Sequence, residues 1–198
     1  MDSKTGQLRQ IRDEVFELEL SPLYEYRREN NYYPVLGEGS HDAAVVFIGE
    51  APGKNEAETG RPFCGASGRI LDELLASIDV ARGDVYVTNI VKDRPPNNRD
   101  PKPDEIALYT PYLIRQINVI APKVIATLGR FSMVFIMEQF GLKDELKPIS
   151  KMHGQVFEAK TDSGKVIILP LYHPAVSVYN PNTKKDLLAD FQKLKNLI

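Results

Sequence analysis

The stretch from Val45 to Gly68, VVFIGEAPGKNEAETGRPFCGASG, constrains the fold of this chain more than any other. Val45, Val46, Phe47 and Ile48 form a continuous apolar run, the pattern of a strand buried on both faces. Gly49-Glu50-Ala51-Pro52-Gly53 follows and is too rich in glycine and proline to continue either regular structure. A second glycine-spaced turn, Gly60 to Gly68, carries Phe63 in its middle and leads into an amphipathic helix expected from about Ser67 to Ile78. A buried strand that opens into a Gly-rich loop and then a helix is how α/β folds build ligand sites at strand ends. Glu50 and Phe63 add an acid and an aromatic ring to the backbone amides of such a loop, which suits chemistry on a flat, polar ring.

The same alternation continues along the chain. A helix is expected at about residues 7–20, with Leu8, Ile11, Val15 and Leu18 at helical spacing, ended by Ser21-Pro22. The polar, aromatic segment from Tyr24 to Ser40 reads as an ordered connection. Asp84 to Asn89 reads as a second strand, Lys123 to Leu128 as a third and Val166 to Leu171 as a fourth, with an edge hairpin at about His153 to Gly164. Helices are expected from Asp104 to Ile120, from Gly129 to Phe140 and from Lys184 to Leu197. This order predicts one domain over residues 1–198, a three-layer α/β/α sandwich around a four-stranded, mostly parallel sheet.

Each predicted core strand ends in an unusual turn: Gly49-Glu50, Thr88-Asn89, Gly129-Arg130 and His173-Pro174. In a parallel sheet these carboxyl ends lie on one edge, so the four turns converge on one crevice holding Glu50, Phe63, Asn89 and His173. Singly, each residue has an ordinary explanation. Glu50 could cap a turn, Phe63 could pack in the core, Asn89 could form an Asx turn and His173 could be structural. Together they form a set suited to a nucleobase. The ring stacks on Phe63, while the Asn89 amide donates to one carbonyl and accepts from the adjacent ring N–H. Uracil presents that pair at O4 and N3 and cytosine reverses it. An unpaired buried polar group costs about 1–3 kcal/mol, enough to discriminate between the two bases.

Composition excludes several classes. No apolar run approaches the roughly 20 residues that span a bilayer, and the first residues lack the basic-then-apolar layout of a secretory signal, so a cytoplasmic protein is expected. The single cysteine, Cys64, precludes an internal disulfide. His41, His153 and His173 lack metal-ligand spacing, so no metal site is expected. The net charge of −2 argues against a strongly basic nucleic-acid binder. Locally, however, Lys92, Arg94, Arg99 and Lys102 crowd around a Pro-Pro turn, at and within a long loop, Asp93 to Pro103, whose length marks it as functional or disordered.

GEAPG, GRPF-x-G-x-x-G, TNIVK-x-RPP-x-NR and HPA, occurring in that order over roughly residues 37–180, resemble the uracil-DNA glycosylase superfamily, most closely its family-four branch. The resemblance implies removal of uracil from DNA, leaving an abasic site, by a monomer acting on single- or double-stranded DNA. It implies that Glu50 orients or polarises the attacking water, with Asn98 assisting. Phe63 would stack on the flipped uracil and Asn89 would read its edge, with Gly49 and Ala51 lining the base site. Glu56 would crowd C5 against thymine's methyl group, and His173 would stabilise charge developing on O2. The turn Gly65, Ser67, Gly68 and the side chain of Ser132 would hold phosphates near helix N-termini. Arg94 and Arg99 would face DNA, and a wedge containing Val176 and Val178 would fill the gap in the stack.

Most family-four members also carry an iron–sulfur cluster on four cysteines. The corresponding positions here are Leu18, Ser21, Asp93 and Tyr109, so no cofactor is expected, and packing around Tyr109 must secure the Asp93–Pro103 loop instead. The loop also lacks the histidine-bearing insert of the branch that traps DNA covalently, which favours hydrolysis with turnover. Competing readings are a glycosylase for another deaminated base such as hypoxanthine or xanthine, a DNA-binding homologue without catalysis, and a nucleotide-binding regulatory domain. The last is disfavoured because GEAPG lacks the lysine of a GxxxxGK[ST] loop.

Overall fold

The computed structural model describes residues 3–198; the side chains of Val178, Tyr179 and Pro181 lie outside the described set. In chain order the elements are α1 (Lys4–Phe16), α2 (Tyr24–Glu29), β1 (Glu38–Gly39), β2 (Val45–Gly49), α3 (Lys54–Thr59), α4 (Ala66–Ala76), β3 (Tyr86–Asn89), α5 (Pro103–Ile120), β4 (Val124–Leu128), α6 (Arg130–Gln139), α7 (Ile149–Met152), β5 (Phe157–Thr161), β6 (Gly164–Leu171), α8 (Val176–Tyr179) and α9 (Pro181–Lys195).

The four strands legible as apolar runs pair in parallel in the order β3-β2-β4-β6. The sheet is nevertheless six-stranded and mixed, not four-stranded: β1 pairs antiparallel with β3 at one edge and β5 pairs antiparallel with β6 at the other. β5 falls within the edge hairpin expected at about His153 to Gly164 and, with only Ala159 buried, lies at the rim of the sheet. β1 is faint in the sequence because it is two residues long and carries no apolar run.

Side chains alternate across the sheet and divide the core in two. Val46, Ile48, Ile125 and Ile168 pack with Leu8, Ile11 and Val15 of α1, Leu113 and Ile117 of α5 and Met133, Ile136 and Met137 of α6. Val45, Phe47, Ala126, Leu169 and Leu171 face the other way onto Leu71, Leu74 and Leu75 of α4 and Leu187, Phe191 and Leu194 of α9. Phe47 stacks on Phe191 with centroids 5.8 Å apart. Both faces are therefore dry, and the polar strand ends are left as the place where a ligand can reach the sheet.

Helix boundaries shift from the periodicity reading. The first helix begins at Lys4, where the Ser3 hydroxyl accepts from Gly6 N–H, and ends at Phe16, so Leu18 lies in the turn beyond it. α3 was unforeseen: Lys54–Thr59 buries only Ala57 and is closed by Gly60 in the left-handed region, φ 72°. α2 and β1 give regular structure to the ordered connection expected from Tyr24 to Ser40. Among the described residues no helix is long and apolar enough to cross a membrane.

Candidate active site

β2 and β3 run parallel in a register that sets Gly49 opposite Asn89. Pairing continues past the strands, with Ile90 N–H donating to Gly49 O at 3.0 Å and Val91 N–H to Glu50 O at 3.2 Å. The two loops are thereby tied together, and Glu50 and Asn89 are fixed at adjacent positions on the same rim. A cleft of about 500 Å³ opens there, within the range of small-ligand sites. Glu50, Ala51, Glu56, Phe63, Ser67, Asn89, Asn98, Arg99 and His173 all line it, together with Pro52, Gly53, Pro95 and Ala175.

Asn89 is buried, and its side-chain amide has no hydrogen-bond partner among the described residues, so donor and acceptor both remain for a ligand. Beneath it lies Lys92, wholly buried, whose Nζ donates to the Asn89 carbonyl at 2.9 Å, to Thr88 Oγ1 at 2.7 Å and to Gln116 Oε1 at 2.7 Å. Burial pushes the Lys92 ammonium down to about 7. Three acceptors satisfy its three donors, so this lysine, which the sequence placed in a basic loop, holds the strand end that carries Asn89.

Phe63 sits at φ 48°, a left-handed conformation that an aromatic residue adopts only when its surroundings impose it. Its ring edge abuts Gly49, where a Cβ would come within 2.8 Å, and its centroid lies 5.8 Å from that of His173. The His173 Nδ1 accepts from Ala175 N–H at 3.2 Å, so the neutral imidazole carries its proton on Nε2. Burial holds the His173 pKa below the ordinary histidine value, which favours that neutral form. Glu50 is half-buried; burial, with Asp100 nearby, raises its carboxyl above the usual range, and Arg130 acts in the opposite sense. Glu56 reaches from α3 until its Oε2 lies where a Cβ on Gly53 would stand at only 2.6 Å, so the GEAPG loop closes on that carboxylate because Gly53 has no side chain.

The rim residues divide. Gly65 caps α4 and Ser67 faces the cleft. Gly68 is buried, with Phe63 O only 1.7 Å from where its Cβ would be, so its smallness serves the packing of α4 against the Phe63 turn. Ser132 is buried and donates to Gly129 O at 3.2 Å. Arg99 forms a bidentate pair with Glu105 and lines the cleft. Arg94 donates to Asn98 rather than standing free. Val176 is exposed, while the Val178 side chain lies outside the described residues.

The iron–sulfur cluster implied by the family-four resemblance does not fit the four matching positions. Tyr109 donates to Asp93 Oδ2 at 2.6 Å and is joined to Ser21 Oγ at 2.7 Å. Arg27 Nη1 lies 3.2 Å from both Asp93 oxygens and also reaches Val15 O, while Nη2 donates to Phe16 O. Leu18 packs against the apolar core. The set contains no thiolate, and its polar atoms are bonded to one another. Among the described residues no group of three or more His, Cys, Asp or Glu is arranged to hold a metal ion.

A family model described as the Uracil DNA glycosylase superfamily matches residues 36–195. This chain belongs to that superfamily. It is 44% identical over 191 residues to the Type-4 uracil-DNA glycosylase of Sulfurisphaera tokodaii, an alignment covering 96% of this chain and 84% of the relative. It is 45% identical over 172 residues to the Type-4 enzyme of Archaeoglobus fulgidus, covering 87% and 84%. With the Type-4 enzyme of Thermotoga maritima the identity is 40% over 166 residues, covering 83% and 82%. The superfamily match spans every strand of the sheet and all the cleft residues.

Proposed function

We propose that this chain is a uracil-DNA glycosylase, a hydrolase of N-glycosidic bonds in base excision repair, and that the cleft at the carboxyl ends of β2, β3 and β6 is where it acts. The observation that carries the assignment of the site is the free Asn89 amide meeting the Phe63 ring and the Nε2–H tautomer of His173 in one cleft. The target base is stacked inside DNA, so it must first be extruded, at a cost of a few kcal/mol. Once flipped, uracil stacks on Phe63. Asn89 donates to O4 and accepts from N3–H, a pairing that cytosine mismatches, and Glu56 stands against a methyl group at C5.

Chemistry then follows charge. As the C1′–N1 bond stretches, the sugar becomes oxocarbenium-like and its electron pair departs with the base, leaving a uracil anion. Neutral His173 donates from Nε2 to O2 of that anion, as an oxyanion hole does, without needing acidic pH. Water attacks C1′ from the other side, and the Glu50 carboxylate takes its proton. Val176 projects from the segment after His173, where it can enter the stack vacated by the base.

Both single- and double-stranded DNA are proposed as substrates, acted on by a monomer. The decisive experiment is incubation of the purified protein with a labelled uracil oligonucleotide, followed by alkali. Alkali-labile breaks at the uracil are expected. Intact strands, or breaks at hypoxanthine or xanthine alone in a lesion panel, would overturn the assignment.

A further inference from the structure

We infer that Arg94 is a positioning residue that fixes the polarity of the Asn98 amide, so that Asn98 presents its NH2 to the cleft and acts there only as a donor. The inference rests on the glycosylase reading of the site. The Asn98 Oδ1 accepts two hydrogen bonds from one edge of the Arg94 guanidinium, from Nε at 3.0 Å and from Nη2 at 2.8 Å. A guanidinium has donors and no acceptor. Turning the amide over would set N–H against N–H, so the oxygen must face Arg94 and the NH2 is the end left for the cleft that Asn98 lines.

Arg94 is itself held. Its Nη1 donates to Tyr26 OH at 3.2 Å and to Tyr32 OH at 3.3 Å, and its Cζ lies 5.6 Å from the Tyr32 ring centroid. The two tyrosines meet edge to face, 6.0 Å apart, so the connection from Tyr24 to Ser40 forms the wall behind the guanidinium. Asn97 and Asn98 both sit in the left-handed region, φ 56° and 52°, which brings the Asn98 side chain back within reach of Arg94, four residues earlier. Occupied on three sides, Arg94 is poorly placed to serve as the phosphate contact suggested by its neighbourhood in sequence.

The chemical consequence concerns the attacking water. An amide NH2 can occupy a lone pair of that water or contact a substrate oxygen, but it cannot accept the proton released as the O–C1′ bond forms and the C1′–N1 bond breaks. That proton passes to the Glu50 carboxylate, and the electron pair of the broken bond leaves on uracil. Asn98 and Glu50 therefore divide the work as donor and acceptor.

Single-turnover cleavage of a uracil oligonucleotide, with DNA affinity measured separately across a salt series, tests this. Arg94→Met is expected to lower the chemical rate about 10- to 100-fold, the range of a lost hydrogen bond to a charged group, with affinity and salt slope unchanged. Arg94→Lys keeps the charge but not the two-pronged grip and is expected to recover only part of that rate. Asn98→Asp keeps the partner for Arg94 but supplies only acceptors, and is expected to be as slow as Asn98→Ala. Full recovery in Arg94→Lys with a restored salt slope would make Arg94 a phosphate contact, and an Asn98→Asp enzyme as fast as wild type would make Asn98 an acceptor; either overturns the inference. Wild-type protein inactive on uracil would sink the glycosylase reading instead. The Arg94 Nε–H resonance separates the two failures: slow solvent exchange, lost in Asn98→Ala, is expected whatever the activity, and fast exchange in wild type would overturn the pairing.

Discussion

Gly49 and Asn89 lie opposite one another at the ends of two paired parallel strands, and a Cβ on Gly49 would stand 2.4 Å from the Asn89 Oδ1. The same Cβ would meet the Phe63 ring at 2.8 Å, so one missing methyl group lets the Asn89 amide and the Phe63 ring share a corner. Gly49→Ala is therefore expected to displace both. The uracil edge then loses a paired group, and kcat/KM on uracil DNA falls about 10- to 100-fold. Thermal melting alongside the kinetics checks that the loss is local; a fully active variant would show that the corner yields without harm.

His173→Ala removes the Nε2–H proposed to meet the departing base. Loss of one such donor costs about 10²- to 10³-fold in the chemical step. DNA affinity should change far less, because phosphates supply most of it. Equal losses in single-turnover rate and in affinity would count against the role.

Glu50 gives the pH dependence its sign. Its folded pKa is raised, chiefly by burial and secondarily by Asp100, and the mechanism needs the carboxylate. Activity should fall as pH drops through a value above the ordinary carboxylate range. It should not fall as pH rises past the usual histidine value, since burial favours neutral His173 and the proposed role uses the uncharged ring. A raised folded pKa also means that the stability contribution is fully present below the unfolded value and is lost as pH rises. Glu50→Gln should thus be inactive yet melt higher than wild type at neutral pH, with the difference vanishing near pH 4. An acid limb unchanged in a residually active Glu50→Gln enzyme would assign it to another group.

The strand ends that build the site are legible because each is an apolar run closed by a glycine or a polar residue, and parallel topology forces such ends together. Glu50, Asn89 and His173 follow from that rule, whereas Phe63 lies in the turn between α3 and α4 and follows from the glycine-spaced motif around it. The basic loop was not legible in the same way, since charge says nothing about partners. Of its cations, Lys92 is buried against three acceptors, Arg94 holds Asn98 and Arg99 is paired with Glu105. Lys92 reaches Gln116 from 24 residues away, and the Arg94–Asn98 contact uses left-handed backbone at Asn97 and Asn98; local pattern encodes neither. α3 carries no periodic signal, because it buries one alanine, Ala57.

Lys92→Met should test how firmly the Asn89 strand end is held. Methionine fills the volume but leaves Thr88 Oγ1, the Asn89 carbonyl and Gln116 Oε1 without their donor. Three orphaned acceptors at about 1–3 kcal/mol each are partly offset because an ammonium is no longer buried, so urea unfolding is expected to show a net loss of about 2–4 kcal/mol. Discrimination of uracil from cytosine should weaken in parallel. A stable variant with unaltered discrimination would show that the strand end stands without the lysine.

The polar knot of Ser21, Tyr109, Asp93 and Arg27 secures the Asp93–Pro103 loop by hydrogen bonds and one buried ion pair, and its removal should be felt in both stability and catalysis. Tyr109→Phe deletes the donor to Asp93 Oδ2 and the partner of Ser21, at about 1–3 kcal/mol. Asp93→Ala leaves the buried Arg27 guanidinium without its carboxylate, at about 3–5 kcal/mol. Because Arg94 follows Asp93 directly, Tyr109→Phe should also speed hydrogen exchange across residues 93–103 and slow single-turnover cleavage. Iron and sulfide assays on purified wild-type protein should find neither in stoichiometric amount. Stoichiometric iron and sulfide, or a loop whose exchange ignores Tyr109→Phe, would mean that something other than this knot holds the Asn98 side of the cleft in place.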